Sequence, residues 1–587
     1  MGKCRAGLSS GIDYFARMGQ GGGRSKQGSA GRSLGQEKPA NVGTEAIRKR
    51  TNMSEHLLSV EDLSVRFGST DAVKGTSFYV DRGEIVSIVG ESGSGKSASA
   101  LSVLQLLPYH IASHPSGTII FQGQEILGAS DHEMRRLRGN EIGMIFQEPM
   151  TSLNPLHTVG RQIVETMRIH RGLSVKDAEA EATALLERVR LPDPPGKMLA
   201  YPHELSGGQR QRAMIAMALA NKPSLLIADE PTTALDVTAQ AGILELLEEL
   251  NRETNMAILL ISHDLAIVEK VATRVYVMTQ GNVVEEGPAA QIFSAPEHTY
   301  TQHLIQARPR GRPPELPVTA KPVLELKHFC INYRGRGGMF GSSKVFQAVK
   351  GVNLQVREGE ALGVVGESGS GKTSLGLGIL RLIESEGPIL YLGKRIDNIS
   401  TQELKPLRKN LQIVFQDPYS SLSPRLSLRD IVAEGLELHE SHLTPEEVDE
   451  RVRQALEEVG LDPEWTRRYP HEFSGGQRQR ISLARVQVLK PTFVILDEPT
   501  SALDMSVQAQ IVDLLRALQQ KHKMSYMFIS HDLAVVRSLC HSVIVMKDGD
   551  VVESGSADDV FHRPQAPYTQ ELLAAAMLAQ RPRYACT

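Results

Sequence analysis

One eight-residue pattern constrains this chain more than any other, and it occurs twice. GESGSGKS occupies residues 90–97 and GESGSGKT residues 366–373. Each follows a short apolar run (EIVSIV, ALGVV) and precedes a run of helical character (ASALSVLQLL, SLGLGILRLI). Strand, glycine-rich turn and helix in that order make a phosphate-binding loop, because the glycines let backbone N–H groups converge on an anion at a helix N-terminus. Gly90, Glu91, Ser92, Gly93, Ser94 and Gly95 then wrap one phosphate chain; Gly366, Glu367, Ser368, Gly369, Ser370 and Gly371 wrap another. Lys96 and Lys372 reach the β- and γ-phosphates, and Ser97 and Thr373 hold Mg²⁺.

The rest of the chain repeats with it. LSGGQRQR at 205–212 pairs with FSGGQRQR at 473–480, LLIADEPTTALD at 225–236 with FVILDEPTSALD at 493–504, and ISHDLAIV at 261–268 with ISHDLAVV at 529–536. MIFQEP at 144–149 pairs with IVFQDP at 413–418. Ser206 and Ser474, Asp229 and Asp497, and His263 and His531 are each 268 residues apart, whereas Lys96 and Lys372 are 276 apart. The second copy is therefore shorter between its lysine and its serine. The chain is a tandem duplication of one nucleotide-binding unit.

Within each unit the carboxylates have distinct tasks. Asp229 and Asp497 end apolar strands, where a carboxylate joins the Mg²⁺ shell with Ser97 and Thr373. Glu230 and Glu498 follow at once and lie beside the γ-phosphate, suited to positioning or deprotonating an attacking water. Ser206, Gly207, Gly208 and Gln209, and likewise Ser474, Gly475, Gly476 and Gln477, open helices and form anion-binding N-termini.

Phosphate loop, glutamine, SGGQ, a DE pair and a late histidine, in that order and twice, resemble the tandem ATP-binding cassette (ABC) ATPases. The resemblance covers nearly everything after about residue 56. It implies an α/β fold: two P-loop NTPase domains, each a RecA-like core with an antiparallel β subdomain and an α-helical signature subdomain. It implies that His263 and His531 contact the γ-phosphate, that Gln147 and Gln416 sense metal and water, and that Phe67 and Tyr333 stack on adenine. It also implies that each signature docks on the ATP of the opposite domain. Lys96, Asp229, Glu230 and His263 then share a site with Ser474 to Gln477, and Lys372, Asp497, Glu498 and His531 share one with Ser206 to Gln209.

PEHTYTQHL at 296–304 and PQAPYTQEL at 564–572 follow the two cassettes, again 268 apart. This element resembles the C-terminal extension of dipeptide and oligopeptide importer ATPases, the fused form being closest to the Yej-type ATPases of peptide and microcin C uptake. Glutathione or nickel importer ATPases are the alternative within that family. A tandem ABC ATPase acting on ribosomes or DNA is a more distant one, disfavoured by the short Pro-rich spacer at 307–322 and by 110 and 102 residues between each lysine and its signature serine. Some relatives carry a cysteine cluster in the extension, but residues 286–322 contain no Cys, so no iron–sulfur cluster is expected.

The expected organisation is a leader over 1–52, ABC domain 1 over 53–285, an extension over 286–306, the linker 307–322, ABC domain 2 over 323–561 and a second extension over 562–587. The leader holds ten Lys/Arg, three Asp/Glu and eleven Gly, too few apolar groups to offset ordering, and is expected to be disordered. Met53 is the expected translation start. Without the leader the near-neutral chain is acidic, which argues against nucleic acid as a partner. The cysteines at 4, 330, 540 and 586 form no CxxC pair, and no apolar run approaches about 20 residues. A transport role therefore needs separate membrane subunits, and the resemblance implies two permeases and, through them, an extracytoplasmic peptide-binding protein. The chain itself is expected on the cytoplasmic face of the inner membrane, in indirect contact with lipid.

Overall fold

The computed structural model describes residues 56–147, 152–232, 235–307, 311–317, 319–334, 345–501 and 503–578. The leader expected over 1–52 lies outside them.

Each cassette is organised around a six-stranded sheet. In the first the order is Asn282–Pro288, Arg274–Thr279, Ile85–Val89, Ala257–Ser262, Leu225–Asp229, Ile142–Ile145. Only the first two of these pair antiparallel. Ile85–Val89, Leu225–Asp229 and Ala257–Ser262 are buried along their whole length, which is why they read as continuous apolar runs and not as alternation. The second cassette repeats the plan as Leu411–Val414, Phe493–Asp497, Ser525–Ile529, Ala361–Val365, Ser542–Lys547, Asp550–Ser556. In both, the strands carrying the phosphate loop, the DE pair and the histidine are neighbours and leave the sheet at one carboxyl edge, where sheets of this class bind ligands.

Two further layers complete each unit. Leu58–Phe67 pairs antiparallel with Thr70–Val80 and Thr118–Phe121, and Pro322–Arg334 with Val345–Arg357 and Ile389–Tyr391. The helices Val159–Arg171, Val175–Arg188 and Gly207–Leu219 pack together, as do Leu428–His439, Pro445–Glu458 and Gly475–Gln487. All six open on a Ser or Thr whose side chain accepts a hydrogen bond from a first-turn N–H, the usual way to satisfy orphan donors. The expected α/β plan of core, antiparallel subdomain and helical subdomain is present in each half.

The strand Asn282–Pro288 runs across 285/286 and continues into the helix Ala289–Ser294. The matching helix of the second cassette is Ala557–His562, and both helices pack on the edge strand before them. Helices Thr299–Gln306 and Pro567–Leu578 then carry the extension motif. In the linker, the Pro314 carbonyl accepts from His541 Nε2 at 2.8 Å while His541 Nδ1 accepts from the Ala361 N–H at 3.0 Å. That pair of bonds ties the spacer to the second cassette.

Candidate active sites

The phosphate loops are shaped by what lies behind them. Gly90 has φ 151°, and a Cβ there would stand 2.1 Å from the Met278 carbonyl oxygen; at Gly95, φ 102°, it would stand 2.6 Å from that of Ala72. Only glycine fits both demands. Lys96 Nζ donates to the carbonyls of Gly90 (2.7 Å) and Glu91 (2.8 Å), and Lys372 Nζ to those of Gly366 (2.9 Å) and Glu367 (2.7 Å). Burial pushes both ammonium pKa values down, against the pull of Glu230 and Glu498 and other nearby carboxylates. Ser97 Oγ donates to Asp229 at 3.0 Å and Thr373 Oγ1 to Asp497 at 3.1 Å. Burial pushes each of these aspartates up to about 6, although the hydroxyl opposes it. A buried carboxylate that is reluctant to ionise, with a hydroxyl on it and lysine-bound carbonyls nearby, is a donor set that fits a dication.

Glu230 and Glu498 adopt left-handed backbone, φ 48° and 45°, which is uncommon for a residue with a Cβ. Their N–H groups donate to Ile261 and Ile529 of the next strand at 2.9 Å, so the sheet itself holds the conformation. The result turns each carboxylate toward two predicted partners. Gln147 Nε2 donates to Glu230 and Gln416 Nε2 to Glu498, both at 2.8 Å. His263 Nδ1 is 3.1 Å from Glu230 and His531 Nδ1 is 3.4 Å from Glu498. Burial disfavours the charged imidazoles, but the glutamates outweigh it and raise both histidine pKa values. Strain at a site of convergent polar groups is the kind that function maintains.

The predicted aromatics lie at the ends of antiparallel strands. Tyr333 is 40% exposed and its hydroxyl is 3.2 Å from Ser374 Oγ, one residue beyond Thr373. Phe67 is half-buried against the same core cluster on which Ala98, one residue beyond Ser97, packs. Ser206 and Ser474 cap their helices: Ser206 Oγ accepts from the Gln209 N–H while Gln209 accepts from the Ser206 N–H, and Ser474 and Gln477 do the same. Gly207 and Gly208, and Gly475 and Gly476, form the first turns behind those caps.

Each loop also receives a carboxylate from the other cassette. Asp504 accepts from the Ser92 N–H at 2.8 Å, and Asp236 from the Ser368 N–H at 3.4 Å. Thr238 Oγ1 donates to the Glu367 carboxylate at 3.1 Å, and Ser506 Oγ donates to that of Glu91. Asp236 and Asp504 end the DEPTTALD and DEPTSALD segments, and Thr238 and Ser506 lie two residues further on, so the cassettes face each other head to tail, phosphate loop against the turn after the DE pair.

The family description "ABC transporter" matches residues 73–233 and 349–501. The description "Oligopeptide/dipeptide transporter, C-terminal region" matches 284–326 and 552–584. The chain belongs to the ABC transporter family. It is 56% identical to the Agrobacterium fabrum "Peptidoglycan transport ATP-binding protein YejF", over 90% of this chain and 97% of that one. It is 50% identical to the Escherichia coli "Uncharacterized ABC transporter ATP-binding protein YejF", over 89% and 100%. It is 45% identical to the Salmonella typhimurium "Glutathione import ATP-binding protein GsiA", over 90% and 91%. This ABC chain is thus an ATPase of the fused, two-cassette kind, carrying the oligopeptide-transporter extension twice.

Two groups at the ABC sites escaped the sequence reading. Asp236 and Asp504 stand in segments recognised as repeats but given no task. Tyr300 and Tyr568, whose hydroxyls accept from the Glu91 and Glu367 N–H groups at 3.1 and 3.2 Å, stand out in the sequence only as extension markers. The signal was available in the repetition of PxxxYTxxL, but nothing local connects it to a loop some 200 residues earlier.

Proposed function

We propose that this chain is the ATP-hydrolysing subunit of a binding-protein-dependent importer of peptides, docked on the cytoplasmic face of the inner membrane against two permeases. Glu230 and Glu498 hold the attacking water, and Gln147 with His263, and Gln416 with His531, orient those carboxylates. Asp229, Ser97 and Gln147, and Asp497, Thr373 and Gln416, would hold Mg²⁺, which neutralises phosphate charge when bound. Phe67 and Tyr333 stack on adenine. The signatures Ser206 to Gln209 and Ser474 to Gln477 complete the sites across the interface, a reading supported by the head-to-tail contacts of Asp236 and Asp504.

The observation that carries a membrane partner is a group of exposed apolar side chains in each cassette. Leu156 is 80% and Leu199 76% exposed, with Phe146 and Tyr201 exposed as well. The Val159 N–H donates to the Ala200 carbonyl at 2.9 Å, which joins these segments. In the second cassette the Leu428 N–H donates to the Arg468 carbonyl at 2.8 Å, joining the segments of exposed Leu426 and Tyr469, and Phe415 is exposed as well. Exposed apolar groups gathered at one place mark a protein interface. Among the described residues no helix is long and apolar enough to cross a membrane, so the translocation path belongs to the partner. The names of two relatives give peptidoglycan and glutathione, both of which contain amide-linked amino acids; that favours peptides over nickel as cargo.

The test is co-purification with the membrane fraction. Wild-type chain is expected there, and Leu156→Asp with Leu426→Asp is expected in the supernatant with its melting temperature retained. Sedimentation with ribosomes instead would overturn the transport reading.

A further inference from the structure

The extension motif reaches the chemistry. In both cassettes its tyrosine hydroxyl accepts a hydrogen bond from the backbone N–H of the second residue of the phosphate loop, Tyr300 from Glu91 at 3.1 Å and Tyr568 from Glu367 at 3.2 Å. Two copies with differing sequence arrive at one geometry. The rest of the motif anchors the tyrosine. Glu285 on the edge strand accepts from the Glu297 and His298 N–H groups at 2.8 and 3.1 Å, and Glu553 accepts from those of Gln565 and Ala566 at 2.8 and 3.0 Å. The Pro296 and Pro564 carbonyls accept from Gln302 and Gln570 at 3.0 Å, and Leu304 and Leu572 are buried. The proline, tyrosine and leucine of PxxxYTxxL thus each dock the helix or touch the loop.

The peptide that the tyrosine holds is a junction. The Glu91 carbonyl accepts from Lys96 and its carboxylate from Ser506 of the other cassette; the Glu367 carbonyl accepts from Lys372 and its carboxylate from Thr238. The helix Pro567–Leu578 also packs on the helix Val237–Thr254 of the first cassette. A glycine-rich loop has many conformations to lose when it closes on an anion. Pinning its first peptide removes part of that loss before the ligand arrives. Burial pushes the Tyr568 phenol up to about 12, so it stays a neutral hydroxyl across the working range.

We propose that Tyr300 and Tyr568 are positioning residues that brace the phosphate loops, so that the C-terminal extension sets the affinity of each ATP site. This rests on reading the loops as ATP sites. The surroundings differ between copies: the Tyr300 hydroxyl faces Thr279, whereas the Lys547 ammonium lies 4.4 Å from the Tyr568 ring centre. The two braces are therefore not equivalent.

The experiment uses the full chain with Glu230→Gln and Glu498→Gln, so that MgATP binds without turnover. Tyr300→Phe with Tyr568→Phe removes only the hydroxyls. It is expected to weaken MgATP binding about fivefold, the worth of one hydrogen bond, with the melting temperature unchanged. In the chain with both glutamates restored, KM rises by the same factor while kcat stays within about twofold. Leu304→Ala, which loosens the anchor core, lowers the melting temperature and is the control for a merely structural effect. In a Glu91→Pro background, which lacks the donor, Tyr300→Phe should have no further effect. Wild-type affinity in the double Phe variant, or a loss that persists undiminished in the Glu91→Pro background, overturns the brace. Lys96→Ala with Lys372→Ala serves as reference: if it too binds MgATP normally, the ATP-site reading itself fails.

Discussion

Glu230 and Glu498, the proposed bases, show how a residue type and a backbone conformation combine at one position. A glutamate at the end of an apolar strand is readable as a base from its place after aspartate. Its left-handed φ is not, because that is set by a hydrogen bond to Ile261 or Ile529, about 30 residues further on. Replacing both by glutamine keeps shape and hydrogen bonding but removes the basic oxygen. We expect phosphate release to fall at least about a hundredfold while MgATP still binds, measured on the same preparation. His541 gives a second prediction at this scale. Its two ring bonds require the neutral tautomer, and burial lowers its pKa. The folded chain therefore binds that proton less readily than the unfolded chain. The stabilisation is complete above about pH 6.5 and lost as pH falls through the folded value. Wild-type melting temperature should drop more steeply than that of His541→Gln as pH is lowered below about 6.5.

At the scale of elements, the phosphate loop was legible because all its chemistry lies in eight consecutive residues between a strand and a helix. What holds the loop was not legible. Met278, Ala72, Tyr300 and Asp504 come to it from four separate segments, one of them 412 residues away. Tertiary contacts of this kind leave no periodic trace in the chain. They do make a distinction testable among glycines. Gly369 and Gly371 both have positive φ, but a Cβ at Gly369 meets open space while one at Gly371 stands 2.2 Å from the Ala348 carbonyl oxygen. Gly371→Ala should therefore unfold more easily in urea than Gly369→Ala, by roughly 1–3 kcal/mol, the usual cost of overpacking. Equal midpoints for the two would contradict the close approach. The helical subdomains were easier to read, since their capping residues and apolar stripes are local.

For the whole molecule, duplication predicted two cassettes, and the crossing contacts Asp504 to Ser92 and Asp236 to Ser368 add that they are arranged head to tail. The two contacts are unequal, 2.8 against 3.4 Å, and Asp236 also caps its own helix through Ala239. The halves have thus diverged around a shared plan. The linker, held to the second cassette by Pro314 and His541, has a consequence of its own. Pairing of the cassettes is an event within one molecule, governed by an effective concentration on the order of millimolar and not by how much protein is present. Specific ATPase activity should then be independent of dilution from about 1 µM to about 1 nM. The fusion also fixes stoichiometry. A first half can meet only a second half, so substitutions such as Thr279 against Lys547 can persist on one side without being imposed on the other.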